Sequence, residues 1–171
     1  MKTKRTILFI DMDGVIADFE KGINAGNGNL NQMFENKFFR KLEPMEEEIA
    51  EKIEKLQELT KVKILSKACV ERNDERFSSQ VADKKYWLMR FAPTVENKDI
   101  IIQSTEESKG KIVREFSDFH CMLLDDYSLN LAEWELAGGI GIKKAKRFKT
   151  ERTFEQVSNL EDLITLLEDI L

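Results

Sequence analysis

Cysteine, proline and histidine are scarce in this chain of 171 residues, and it has no long hydrophobic run. Cys69 and Cys121 stand far apart and lack the paired spacing of a zinc site, so reduced thiols are expected in place of a disulfide or a cysteine metal centre. Cys121 opens an apolar run and reads as core, where a thiol behaves as a small hydrophobe. No segment approaches the ~18 to 20 apolar residues that cross a bilayer, and the start at Met1 leads into only a few apolar positions. The expectation is an unprocessed, cytoplasmic protein with no membrane partner. Positive charge does not predominate: 27 Lys and Arg against 32 Asp and Glu leave a net charge of −5. That argues against a nucleic-acid polymer as partner, because neutralising a phosphate backbone needs a dominant basic surface. A small phosphate ester stays open, since local cations and a metal decide that case. Internal repeats and low-complexity segments are also missing.

What is present describes one globular domain. Hydrophobic residues make up 42% and charged residues 35% of a length that suits a single α/β core with a modest insertion. The organising stretch is Ile7 to Glu20. Four consecutive apolar residues, Ile7 to Ile10, predict a strand buried on both faces, as in a parallel sheet. The strand runs into Asp11-Met12-Asp13-Gly14. Side chains two apart on an extended chain point the same way, so both carboxylates can address one small volume. Two anions that close require a cation or a shared proton, which points to a hard divalent metal.

Further along, Asn24 to Asn29 is a cluster of turn formers. Leu30, Met33, Phe34, Phe38, Phe39 and Leu42 then recur at helical spacing until Pro44, predicting a helix within a small cap insertion at roughly 19–43, or an ordinary core helix. Glu46 to Leu59 reads as an amphipathic helix with Glu46, Glu47 and Glu48 solvated in its first turn. Val62 to Leu65 is a second strand ending at Ser66, and Phe77 to Phe91 a helix with Val81, Trp87, Leu88 and Phe91 inward. Asp99 to Ile102 is a third strand, and Ser108 is placed as the cap of a helix through Phe116. Cys121 to Leu124 is a fourth strand that empties into Asp125 and Asp126. Leu131 to Ala137 is helical, Ile140 to Ile142 a fifth strand, and Asn159 to Leu171 a closing helix. Alternation of this kind predicts a three-layer, Rossmann-like parallel sheet with helices on both faces.

In such a sheet Asp11 and Asp13, Ser66, and Asp125 and Asp126 share one edge. A carboxylate cluster there suits a magnesium ion, and a carboxylate beside it can attack phosphorus. Lys109, next to Ser108, is preferred over Lys111 as the phosphate-binding lysine because it lies nearer the strand ends. His120, the only histidine, precedes its strand and falls at the wrong edge. The basic run from Lys143 to Arg147, with Lys149, is either a solvated loop or a steering patch for an anionic substrate.

The order Asp11-Met12-Asp13-Gly14-Val15, Ser66, lysine, Asp125-Asp126 resembles the haloacid dehalogenase superfamily of phosphohydrolases over most of the chain. The resemblance implies that Asp11 is the nucleophile and forms an aspartyl phosphate. Asp13 would be general acid and then base, with its backbone carbonyl on magnesium; Ser66 and Lys109 would bind the phosphoryl group, and Asp125 and Asp126 would hold Mg2+. Asp11 to Glu20 looks most like the 5'(3')-deoxyribonucleotidases, and Lys84 to Leu88 is similar to that family's Lys-Tyr-x-Trp-Val helix. That implies a nucleoside monophosphate substrate with Phe19 near the base. The family's Thr-Ser-Pro is Leu65-Ser66-Lys67 here, which makes Lys67 a further candidate phosphate contact or a solvated loop lysine. A sugar-phosphate phosphatase and a non-catalytic binding module are the alternatives. Dehalogenation is disfavoured, because a halide leaving group does not need the acid that Asp13 supplies.

Overall fold

Residues 5–146 and 153–171 are described by the structure, a computed structural model. Its first strand, β1 (Thr6–Ile10), divides its side chains between two cores, as an extended chain must. Leu8 and Ile10 join one apolar cluster, and Ile7 and Phe9 the other. Around β1 the described residues form a six-stranded parallel sheet with β2 (Lys61–Lys67), β3 (Ile100–Gln103), β4 (His120–Asp125), β5 (Ile140–Lys144) and β6 (Glu155–Val157), in the order β3-β2-β1-β4-β5-β6. The edge strand β6 is an addition to the five expected. With three residues and only Val157 buried, it carries too little apolar pattern to announce itself.

Helices cover both faces. α2 (Ile49–Leu59), α3 (Phe77–Phe91) and α6 (Leu160–Ile170) bury Ile53, Trp87 and Leu163 against one side. α4 (Gly110–Glu115) and α5 (Ser128–Leu136) bury Ile112 and Trp134 against the other. The three-layer α/β fold predicted from the alternation is the one observed. Its strand order reverses direction between β1 and β4, the place where ligands bind in open α/β sheets. Register completes the alignment: Ile10 lies opposite both Ile64 and Leu124, so Asp11 and Asp125 emerge side by side.

Three local expectations are corrected. Leu30 to Leu42 is not one helix but two 3-10 turns, Leu30–Phe34 and Phe39–Lys41, after a short α1 (Phe19–Asn24). Lys37 between them is left-handed, with φ 63°, which no continuing α-helix accommodates. The spacing of apolar residues there serves a cluster instead, with the rings of Phe19, Phe38 and Phe39 packed on one another. The acidic run does not form the first turn of α2. Glu48 is left-handed ahead of the helix, and Glu46 pairs with Lys52 at 2.9 Å and accepts from the Leu160 amide at the start of α6. Ser66 and Lys67 lie inside β2 and not beyond it.

The 19–43 segment leaves and re-enters the core through two adjacent crossings, with Asp18 N donating to Glu43 O and Met45 N to Ile16 O, each at 2.8 Å. It rests on α3. Trp87 Nε1 donates to Leu42 O at 2.8 Å, Gln80 Nε2 to Met33 O at 3.2 Å, and Arg40 Nε to Asp83 Oδ1 at 2.8 Å. Among the described residues no helix is long and apolar enough to cross a membrane.

Candidate active site

Asp11 leaves the end of β1 with its amide bonded to Leu124 O at 2.9 Å, which ties it to β4 and to the carboxylates that follow. Asp13 comes two residues later. Gly14 then turns the chain with φ +75°, and Met12 O collects the amides of Ile16 and Ala17 at 3.0 and 2.9 Å. A Cβ on Gly14 would run into the Asp126 carboxylate, so glycine serves both the turn and the close approach.

Asp125, the last residue of β4, is wholly buried. Its Oδ1 accepts from the Tyr127 amide at 2.7 Å, and its Oδ2 from Asn130 Nδ2 at 3.0 Å and from Lys109 Nζ at 2.7 Å. The same ammonium stands 3.1 Å from Asp11 Oδ1. Burial alone would lower the pKa of Lys109, but Asp11 and Asp125 outweigh it and hold the group above the usual lysine range. Lys109 therefore stays a cation between two strand ends. It, and not Ser108 as expected, occupies the cap position ahead of α4; Ser108 Oγ, one residue earlier, accepts from Gly110 N at 3.2 Å and donates to Glu133 at 2.7 Å. Lys111 is exposed on the same helix.

Asp11, Asp125 and Asp126 each offer a carboxylate oxygen, and these lie within 4.8 Å of one another. Burial of the carboxylate, then the like charges of Asp11 and Asp125, push Asp126 up to about 7, although the residue stands at the mouth of the site. Asp11 Oδ1 is buried with no hydrogen-bond partner of good alignment. An all-oxygen donor set carrying crowded negative charge fits a hard divalent cation.

Asp13 is not a member of that trio. Its Oδ2 pairs with Lys84 Nζ of α3, while its Oδ1 is buried without a hydrogen-bond partner. Burial raises its pKa, Lys84 opposes the rise, and Asp11 adds to it. Lys84 Nζ also donates to Ser66 Oγ at 3.3 Å, so Ser66 is linked to Asp13 through the lysine. Phe19 lines a cavity of about 110 Å³ with Asp13, Gly14, Asp18, Met45 and Asp126. Lys67, at the end of β2, is half-buried.

The structure thus brings Asp11, Asp13, Ser66, Lys109, Asp125 and Asp126 to one sheet edge. Lys84 was missed as a site residue. The sequence displays it as a charged position in an amphipathic helix; the signals that could have found it are its place at the head of the Lys84 to Leu88 resemblance and its alignment with Gln80 and Asp83 along a single buried face. His120 lies exposed at the opposite end of β4. In the basic run, Lys143 donates to Asp126 O and Ser128 Oγ, Lys144 to Ser158 O and Lys146 to Glu20. Arg147 and Lys149 lie outside the described residues.

A family described as "5' nucleotidase, deoxy (Pyrimidine), cytosolic type C protein" matches residues 27–168. No curated protein sequence matches the chain. Among solved structures, a haloacid dehalogenase-like family hydrolase from Xanthomonas campestris superposes with a TM-score of 0.64 at 10% identity, over 98% of this chain and 96% of that one. D,D-heptose 1,7-bisphosphate phosphatase from B. bronchiseptica, complexed with magnesium and phosphate, gives 0.60 at 12%, over 97% and 99%. L-2-haloacid dehalogenase from Xanthobacter autotrophicus, with chloropropionic acid covalently bound, gives 0.61 at 10%, over 98% and 100%. At these identities the likeness is one of fold.

Proposed function

The chain belongs to the cytosolic type C family of 5' nucleotidases, deoxy (pyrimidine), and is a phosphoric monoester hydrolase of haloacid dehalogenase-like fold; on that premise we propose a magnesium-dependent 5'-nucleotidase that acts on (deoxy)nucleoside monophosphates through an aspartyl phosphate on Asp11. The observation that carries this reading is the placement of Lys109 between Asp11 and Asp125, with Asp126 alongside and Asp13 holding an unpartnered oxygen two residues on.

In this reading Asp11 attacks phosphorus while Asp13 gives a proton to the departing ester oxygen. Water then attacks the aspartyl phosphate, with Asp13 taking its proton. Ser66 and Lys109, with Lys67 at the end of the same strand as Ser66, hold the phosphoryl oxygens. Asp11, Asp125, Asp126 and the backbone carbonyl of Asp13 would hold Mg2+, which supplies charge neutralisation for a phosphate dianion approaching a carboxylate. The 19–43 segment serves as a small cap whose Phe19 borders the leaving-group side. The heptose bisphosphate phosphatase supports phosphate chemistry with magnesium on this fold. The dehalogenase neighbours share the fold, but their chemistry has no use for a proton donor at Asp13.

The test is a panel of nucleoside monophosphates, sugar phosphates and a generic aryl phosphate compared by kcat/KM, with and without chelator. Turnover that needs magnesium, prefers nucleotides and disappears in Asp11→Asn is expected. Activity surviving Asp11→Asn would remove the nucleophile assignment, and a preference for sugar phosphates would replace the substrate.

A further inference from the structure

Lys84 has no part in the chemistry assigned above, yet it is among the most completely buried large side chains of the protein. A buried ammonium is costly unless fully partnered. This one has three partners from three parts of the chain: the Asp13 carboxylate after β1, Ser66 Oγ on β2 at 3.3 Å, and the face of the Phe39 ring, 4.1 Å from Nζ, on the 19–43 segment. Asp13 is correspondingly asymmetric. Oδ2 is taken by Lys84, whereas Oδ1 is buried and lacks a hydrogen-bond partner. The carboxyl group as a whole keeps some exposure and lines the cavity that Asp13 shares with Gly14, Phe19 and Asp126.

We propose that Lys84 is the positioning residue for Asp13: by gripping Oδ2 it fixes the carboxyl group in one orientation at the edge of the cavity that Asp13 shares with Gly14, Phe19 and Asp126, where the proton is transferred. The inference rests on the phosphomonoesterase reading. In the first half-reaction an Asp11 oxygen bonds to phosphorus, the ester P–O bond breaks, and the proton on the Asp13 carboxyl group leaves with the alcohol. In the second, water bonds to phosphorus, its proton passes to the Asp13 carboxylate, and the Asp11–phosphorus bond breaks to release inorganic phosphate. Lys84 keeps its own protons throughout. Because Phe39 packs on the ammonium, the 19–43 segment contributes to the same alignment without touching the reacting atoms.

Leaving-group dependence separates this role from others. A deoxynucleoside monophosphate departs as a poor alkoxide and needs the proton; an aryl phosphate with an electron-withdrawing ring does not. For Lys84→Met, kcat/KM reports the steps through loss of the alcohol. It is expected to fall about 100-fold for the nucleotide, within the usual range of acid catalysis, and only a few-fold for the aryl ester. The inhibition constant of inorganic phosphate should hardly move. Lys84→Arg, which keeps the charge in a differently shaped group, should show the same split in weaker form, and serves alone if the methionine variant does not fold. Equal losses for both substrates would overturn the proposal in favour of a structural role. A weakened inhibition constant for phosphate would overturn it in favour of a direct phosphate contact. If the unaltered protein cleaves neither substrate, the phosphomonoesterase reading falls first, and the role of Lys84 with it.

Discussion

Gly110→Ala isolates how tightly the Lys109 site depends on the packing of two helices. Gly110 begins α4, and a Cβ there would sit 2.6 Å from the Glu133 backbone oxygen of α5 and 3.3 Å from the Ala137 Cβ. Ordinary carbon-to-oxygen contact begins near ~3.3 Å, so α4 must retreat by roughly 0.7 Å, because a carbonyl within a helix cannot rotate away as a side chain does. The methyl raises helix propensity by up to ~1 kcal/mol, while overpacking costs about 1–3 kcal/mol. The net expectation is a loss of about 1–2 kcal/mol, a fall of roughly 2–8 °C in Tm for a domain of this size. Activity should suffer more than stability. Lys109 is the adjacent residue and holds Asp125 at 2.7 Å and Asp11 at 3.1 Å, contacts that a retreat of α4 would stretch. Misplacement on that scale costs about 10-fold or more in kcat. Thermal melting and steady-state turnover on one preparation measure both, with Lys111→Ala on the exposed face of α4 as the unchanged control. A Gly110→Ala protein as stable and as active as its parent would refute the reasoning that glycine is needed for close approach.

Two other expectations concern the surroundings of the site. Trp87→Phe removes the donor to Leu42 O and leaves both a cavity and a buried unpaired carbonyl, at a cost of about 2–4 kcal/mol by urea denaturation. A loss below measurement error would mean that α3 does not anchor the 19–43 segment. Burial, reinforced by the charges of Asp13 and Asp11 against that of Lys84, pushes the Cys69 thiol up to about 11. At pH 8 roughly one thiol in a thousand is then ionised, and maleimide should label Cys69 about a hundred-fold more slowly than an ordinary thiol; labelling at the ordinary rate contradicts the burial. The sign for stability follows: between an unfolded value near 9 and about 11 the unfolded chain releases its proton first, so this contribution falls as pH rises through that window.

Much of the fold and of the carboxylate cluster was legible along the chain, because both depend on short-range pattern. Ile7 to Ile10 followed by Asp11 and Asp13 marks a strand and its end, and Cys121 to Leu124 followed by Asp125 and Asp126 does the same. A parallel sheet then brings such ends together by necessity. The errors came where spacing has two physical uses. Apolar residues three and four apart in Leu30 to Leu42 satisfy a helix, but they also satisfy a folded loop whose left-handed Lys37 breaks the helix and whose rings pack together. The acid at Glu46 looked like an ordinary first-turn charge, yet it caps a helix that begins 114 residues later, a distance that no local window spans.

By itself, then, the order of apolar and acidic residues determined the parallel α/β architecture and which carboxylates meet at its edge, since strand periodicity and right-handed crossovers leave little choice. Only the tertiary structure decided what stands opposite them. Lys109 over Lys111 depends on where α4 packs against α5, and the burial of Lys84 against Asp13 depends on how α3 lies over β2 beneath the 19–43 segment. Those are long-range contacts between charged side chains, and a lysine destined for solvent carries the same letter as one buried against a carboxylate.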